Sequence, residues 1–256
     1  SEVKRQIHDK SGNGFKLDES FGMEKVFPGV PPGTKVADSA SAPKTQHTVL
    51  STGLTVASQD MPGLMTSFAF IVGTGSSYEN QKEGDGSNNT GVTQALELAA
   101  FKTTKNYKNG EISQKLEQLG GMMQCISTRE NVLYCIDVLR ENLEPALDIL
   151  ADAVLRPQFP IEEIEEAKDV ARLMIDEMPS DMLSRDAATM AAYKGSAMGN
   201  THFCPIESID NITQNKLLDF HSNNFIANNC FITASGVEHD YFTSLVNKKF
   251  HDIIQI

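Results

Sequence analysis

The side chains best suited to metal or nucleophilic chemistry are thinly spread. Six histidines stand at His8, His47, His202, His221, His239 and His251, and no two lie four residues apart. A helical two-histidine metal site needs that spacing, because residues i and i+4 share one face. Four cysteines, Cys125, Cys135, Cys204 and Cys230, form no Cys-x-x-Cys pair. They read as buried thiols in a reducing compartment, not as a disulfide framework. No Gly-x-Ser-x-Gly elbow announces a serine nucleophile. A glycine-rich stretch, 73–90, carries Gly73, Gly75, Gly84 and Gly86. It lacks a Walker lysine and dinucleotide spacing, so it reads as a long surface loop and not as a phosphate cradle. The densest charge lies between Ile161 and Asp181, with eight acids and two bases, net −6. That is a solvated helix face, or a docking surface for a basic peptide or subunit.

The elements that would position these residues follow from periodicity. Thr48–Leu50 and Leu54–Ser58 flank a turn at 51–53 and form a hairpin. Met65–Val72 is an apolar run, read as a buried strand. Helices are expected over Val92–Phe101 and Glu111–Leu119, the second closed by Gly120 and Gly121. Two strands, Met123–Thr128 and Val132–Leu139, surround Arg129, Glu130 and Asn131. Leu143–Val154 is helical and stops at Pro157. Over Ile161–Met178, a 3.6-residue period places Ile161, Ile164, Ala167, Ala171, Met174 and Met178 on one apolar stripe. Further helices are expected over Met182–Ala192, Thr213–Phe225 and His239–Phe250, with a strand at Cys230–Ser235. Strands and helices mix without strict βαβ alternation. The fold class is therefore α+β, a mostly antiparallel sheet packed against helices. Residues 1–45, rich in Gly, Pro and Ser, read as an extended N-terminal arm, and 46–256 as the folded domain. The chain opens on Ser1, which reads as a processed terminus.

Composition sets outer limits. The 256 residues carry a net charge of −12 and 40% hydrophobic side chains. This fits a globular domain and argues against a general nucleic-acid or anionic-membrane binder. No 18-residue apolar run is present, so no helical membrane span is expected.

Seven short segments in order then become informative: 53–58, 75–79, 91–104, 119–121, 127–131, 203–205 and 236–239. Together they resemble the N-terminal half of the pitrilysin-type metallopeptidases, a LuxS/metallopeptidase-like half. Within that family the likeness is to the branch holding the α-subunit of the mitochondrial processing peptidase and core 2 of the cytochrome bc complex. Active members carry His-x-x-Glu-His on the helix that starts here at Gly91, with a third ligand, a Glu, on a later helix. Two His and that Glu would hold Zn²⁺, and the Glu between the histidines would activate water. The resemblance puts the first His at Gln94, the base at Glu97, the second His at Leu98 and the third ligand at Met174, with a further Glu position at Ala167. Gln, Leu and Met supply no zinc set, and Met sulfur suits softer metals. Glu97 alone has no metal-bound water to activate. No catalytic residue, metal or cofactor is therefore expected.

The resemblance implies a non-catalytic α/core 2-type subunit of the mitochondrial cytochrome bc complex (complex III), peripheral on the matrix side of the inner membrane. Its partners would be a β/core 1-like subunit, other subunits of that complex, presequence peptides, and a separate chain supplying the second homologous half, which has no counterpart here. The alternatives are the α-subunit of a soluble processing peptidase, or an active zinc peptidase with unusual ligands.

Overall fold

The computed structural model describes residues 43–80 and 88–254. The arm expected over 1–45 lies almost wholly outside the described residues. The order of elements is β1 (Gln46–Val49), β2 (Thr55–Gln59), β3 (Met65–Val72), α1 (Val92–Leu98), α2 (Glu111–Gln118), β4 (Met122–Ser127) and β5 (Val132–Leu139). Then come α3 (Leu143–Leu155), α4 (Ile161–Asp176), α5 (Ser180–Ala192), α6 (Ile206–Ile209), α7 (Gln214–Asn224), β6 (Cys230–Ser235) and α8 (His239–Lys249).

The strands form one sheet in the order β1-β2-β6-β3-β5-β4. All neighbours are antiparallel except β2 and β6, which run parallel. Period-2 patterning decides which face is buried. On β3, Thr66, Phe68, Phe70 and Val72 point into the core, and on β5 Val132, Tyr134, Ile136 and Val138 do the same. Their register aligns Phe70 with Tyr134 and with Ile232 of β6, so one continuous apolar surface meets the helices. Aromatic packing fixes that layer. Phe70 stacks on Phe250 at 5.3 Å, and Tyr134 meets Phe101 and Phe225 edge-on at 5.6 and 6.1 Å.

Three expectations need correction. Helix α1 ends at Leu98 and not at Phe101; Phe101 sits at φ 57°, turning the chain so that its ring enters the core. The 73–90 loop is not a plain surface loop, because Thr74, Ser76 and Glu79 are buried. On α4 the buried face is Glu163, Ile164, Ala167, Lys168 and Ala171. Ile161 and Met174, assigned to the apolar stripe, are 64% and 38% exposed. The buried face is thus set by what packs against the helix, and it takes in Glu163 and Lys168 in place of Ile161 and Met174. Beyond α4, α5 has no buried residue at all.

Candidate functional site

The positions singled out in the sequence cluster around α1. The chain approaches α1 through Gly75, where a Cβ would run into the backbone of Thr128 and Arg129. Only glycine allows this close pass. The amides of Ser76 and Ser77 donate to the carbonyls of Thr128 (3.2 Å) and Arg129 (2.9 Å), which ties the loop to the β4–β5 turn. Glu79 is then carried under the start of α1. Its carboxylate accepts from the amides of Gly91 and Thr93, both at 2.8 Å. These are amides that a helix start leaves unpaired, and a carboxylate is their natural acceptor. Glu79 is only 6% exposed. Burial raises its pKa to about 7, even though the two backbone hydrogen bonds pull it down.

Within α1, Gln94 and Leu98 stand four residues apart. Gln94 is buried, and its Oε1 accepts from the Cys204 amide at 2.8 Å. Leu98 is half-buried and packs against the core. Glu97 accepts from Ser127, from its amide at 2.9 Å and its hydroxyl at 2.5 Å, which pins α1 to the end of β4. Helix α4 packs along α1. The contact is fixed by Glu163, which accepts from the amide and hydroxyl of Thr103, and by the Lys102–Glu166 ion pair at 2.9 Å. Ala167 is buried on α4, whereas Met174 lies outside the packed face.

These donors do not fit zinc. The Gln94 oxygen is engaged by a backbone amide, Leu98 has no donor atom, and an exposed thioether is a poor partner for a borderline ion. Among the described residues, no group of three or more His, Cys, Asp or Glu side chains is arranged to hold a metal ion.

Polar groups with no role assigned from the sequence tie the surrounding segments together. Arg129 pairs with Asp186 of α5 and donates Nε to the Asn200 carbonyl at 3.2 Å. The Asn200 side chain donates Nδ2 to the carbonyls of Ser76 (2.8 Å) and Glu79 (3.1 Å). Asp186 also accepts from the Thr201 hydroxyl (3.1 Å) and the His202 amide (3.2 Å). The β4–β5 turn, the loop before α1, the 200–204 segment and α5 are thereby joined. His202 is brought within electrostatic reach of Glu97. Its pKa is lowered, first by burial and then by Arg129, against the opposing pull of Glu97 and Asp186. No histidine lies within a few residues of Glu97 in the sequence, and only tertiary folding brings His202 near it. Arg129, Glu79 and Cys204 lay inside the segments that carried the family likeness, which was the only available signal for them.

The thiols are not poised for reaction. Cys204 and Cys230 are buried, and burial pushes each to about 12. Cys125 and Cys135 are half-buried and are likewise raised, chiefly by burial.

Comparison with known proteins agrees with this layout. Residues 55–206 match the family model described as insulinase, peptidase family M16. Over 216 residues the chain is 32% identical to the β subunit of a mitochondrial-processing peptidase from Dictyostelium discoideum, covering 83% of this chain and 45% of that protein. It is 27% identical to an α subunit from Neurospora crassa, covering 80% and 35%. It is 29% identical to an α subunit from Solanum tuberosum, covering 97% and 47%. The chain thus spans about half the length, or less, of the curated relatives it matches. A solved structure of a protease from Helicobacter pylori superposes with a TM-score of 0.72 at 24% identity, over 84% of this chain and 51% of that one, and shares the fold.

Proposed function

This chain belongs to the M16 (insulinase) family of peptidases, and from that premise we propose that it serves as a non-catalytic, α-type subunit of a mitochondrial processing peptidase, paired with a β-type subunit. The observation that carries this reading is the set of contacts at positions 94, 97 and 98. Gln94 holds the Cys204 amide, Glu97 holds Ser127, and Leu98 packs into the core. All three side chains are used for structure. A peptidase centre needs two nitrogen ligands and a free base at these positions.

Identity alone does not separate the two subunit types, since α and β relatives match at similar levels. The residues at 94, 98 and 174 favour the α type. The names of the relatives favour a processing peptidase over the respiratory complex first expected from the sequence. A place in the cytochrome bc complex would require co-migration with cytochromes b and c1 on a native gel. On the processing-peptidase reading, the site of action is the mitochondrial matrix. The helices of the described chain include none long and apolar enough to cross a membrane.

The test is reconstitution with a β-type subunit and a presequence-bearing precursor. Cleavage should need the β-type subunit and survive Glu97→Gln in this chain. Stoichiometric zinc in the unmodified chain, or cleavage by the chain alone that Glu97→Gln abolishes, would overturn the reading.

A further inference from the structure

The connection from α1 to α2 ends in a tight turn. The Glu111 amide donates to the Lys108 carbonyl at 3.0 Å, which leaves Asn109 and Gly110 as the two central residues. Gly110 sits at φ 84°, ψ −20°, a left-handed position that glycine fills without steric cost. A second bond closes the turn, from the Lys108 amide to the Glu111 carboxylate at 2.8 Å. Asn109 and Gly110 are both exposed. A Cβ built on Gly110 would meet nothing within 4 Å beyond its chain neighbours.

Two groups that can react with each other are left without partners there. Among the described residues, nothing hydrogen-bonds to the Asn109 carboxamide or to the Gly110 amide. Asn106 shows the contrast. Its carboxamide donates to Asp152 at 2.6 Å, its amide donates to the same carboxylate at 3.2 Å, and Tyr107 follows it. The side chains of Asn142, Asn200 and Asn224 are likewise committed to backbone carbonyls. The sequence holds one other Asn-Gly pair, Asn13–Gly14, which lies outside the described residues.

Asparagine is a thermolabile residue, and the next amide nitrogen in the chain is the group that attacks it. The Gly110 nitrogen gives its proton to water or hydroxide and bonds to Asn109 Cγ. The Cγ–Nδ2 bond breaks and ammonia leaves, so a five-membered succinimide closes. Water then opens one of its two carbonyls, leaving aspartate or isoaspartate at 109. Water is the one co-reactant. Glycine has no Cβ to hinder the approach of its nitrogen, and neither group has to break a hydrogen bond first.

We propose that Asn109 is a self-modification site, which closes on the Gly110 nitrogen and opens to aspartate and isoaspartate, the second being a methyl acceptor for isoaspartate-directed carboxyl methyltransferases. The two products differ in effect. Aspartate keeps the main chain and sets a carboxylate just ahead of α2, where the helix dipole favours it. Isoaspartate routes the main chain through the side chain and adds a methylene to the turn. The two Lys108–Glu111 bonds then lose their register. Helix α2 buries only Ile112 and Leu116, so little else holds its first turn.

In the test, the purified chain is aged at mildly alkaline pH, both folded and in urea. Its peptides are mapped by mass spectrometry, with electron-transfer fragmentation to tell isoaspartate from aspartate. Asn109 of the folded chain should convert to both products, within ten-fold of its rate in urea and at least ten-fold faster than Asn131 or Asn142. Gly110→Ala should slow conversion in urea at least ten-fold, a comparison that does not need the variant to fold. An Asn109 that stays intact in the folded chain while the urea sample converts overturns the proposal, because the turn then blocks ring closure. Aspartate as the sole product, or conversion of Gly110→Ala at the parental rate, also overturns it, in favour of direct hydrolysis.

Discussion

Replacing Glu79 by Gln should change the sign of its effect on stability as pH rises. The unfolded chain releases this proton near 4.5, the folded chain near 7. Between those values the folded state holds more of it. The contribution is therefore fully present below pH 4.5 and is lost as pH rises through about 7. At about 1.36 kcal/mol per pKa unit, the loss amounts to roughly 3 kcal/mol. Gln stays neutral at every pH, so its penalty is constant. Its single oxygen can serve only one of the Gly91 and Thr93 amides, at a cost of about 1–2 kcal/mol. The variant should be less stable than the parent near pH 4 and more stable near pH 8.5, with the curves crossing at about pH 5–6. Urea denaturation in half-unit pH steps measures this, with a carboxyl-carbon NMR titration of Glu79 alongside. Parallel stability curves, or a Glu79 titration near 4.5, would refute the reasoning, because burial would then not dominate at this carboxylate.

Three further outcomes are expected. Asp152 is buried, and burial works against its charge; hydrogen bonds from Thr104, Arg156 and Asn106 outweigh that and lower its pKa. Asp152→Ala should cost about 3 kcal/mol, a fall of roughly 6–12 °C in Tm by calorimetry, and more than Arg156→Ala, since without Arg156 the Asp152 carboxylate still accepts from Thr104 and Asn106. His221 Nε2 donates to the Val154 carbonyl at 2.7 Å, and burial holds its pKa below the ordinary 6.5. Stability should therefore be full above pH 6.5 and fall as the solution is acidified. His221→Leu should remove that slope while costing about 1–3 kcal/mol at neutral pH for the unpaired carbonyl, both read by denaturant titration. Arg129→Ala should raise amide exchange across α5 at least ten-fold and leave β3 and β6 unchanged, because α5 has no buried residue and is tied down through Asp186.

The sheet was readable because its signals are local. Met65–Val72 and Cys230–Ser235 are short apolar runs between turn residues, and both appear as strands at those bounds. The parallel pairing of β2 with β6 was not readable, because strand order is decided by distant packing. Periodicity also misled on α4. It aligned Met174 with Ala171, but it carries no information about which side of the helix meets other elements, and Met174 is left 38% exposed while Ile175 packs against the core. Glu163 and Lys168 belong to the acidic face by sequence yet are buried, since Glu163 meets Thr103 and Lys168 reaches out to Glu165. Of the site, Gln94, Glu97 and Leu98 could be named from one segment. Their partners Ser127 and Cys204 lie on other elements, and no spacing rule connects them.

The Gln94–Cys204 bond bears on how this protein could change. A His placed at position 94 would offer one lone pair, and two groups would want it: the metal and the Cys204 amide. Given to the metal, it strands a buried N–H at a cost of about 1–3 kcal/mol. Given to the amide, it binds nothing new. Leu98 and Met174 would have to change as well before any ion gained a full set of ligands. On the reading that places former ligands at 94, 98 and 174, no single substitution would complete a zinc site, so metal binding would be expected only when all three change together.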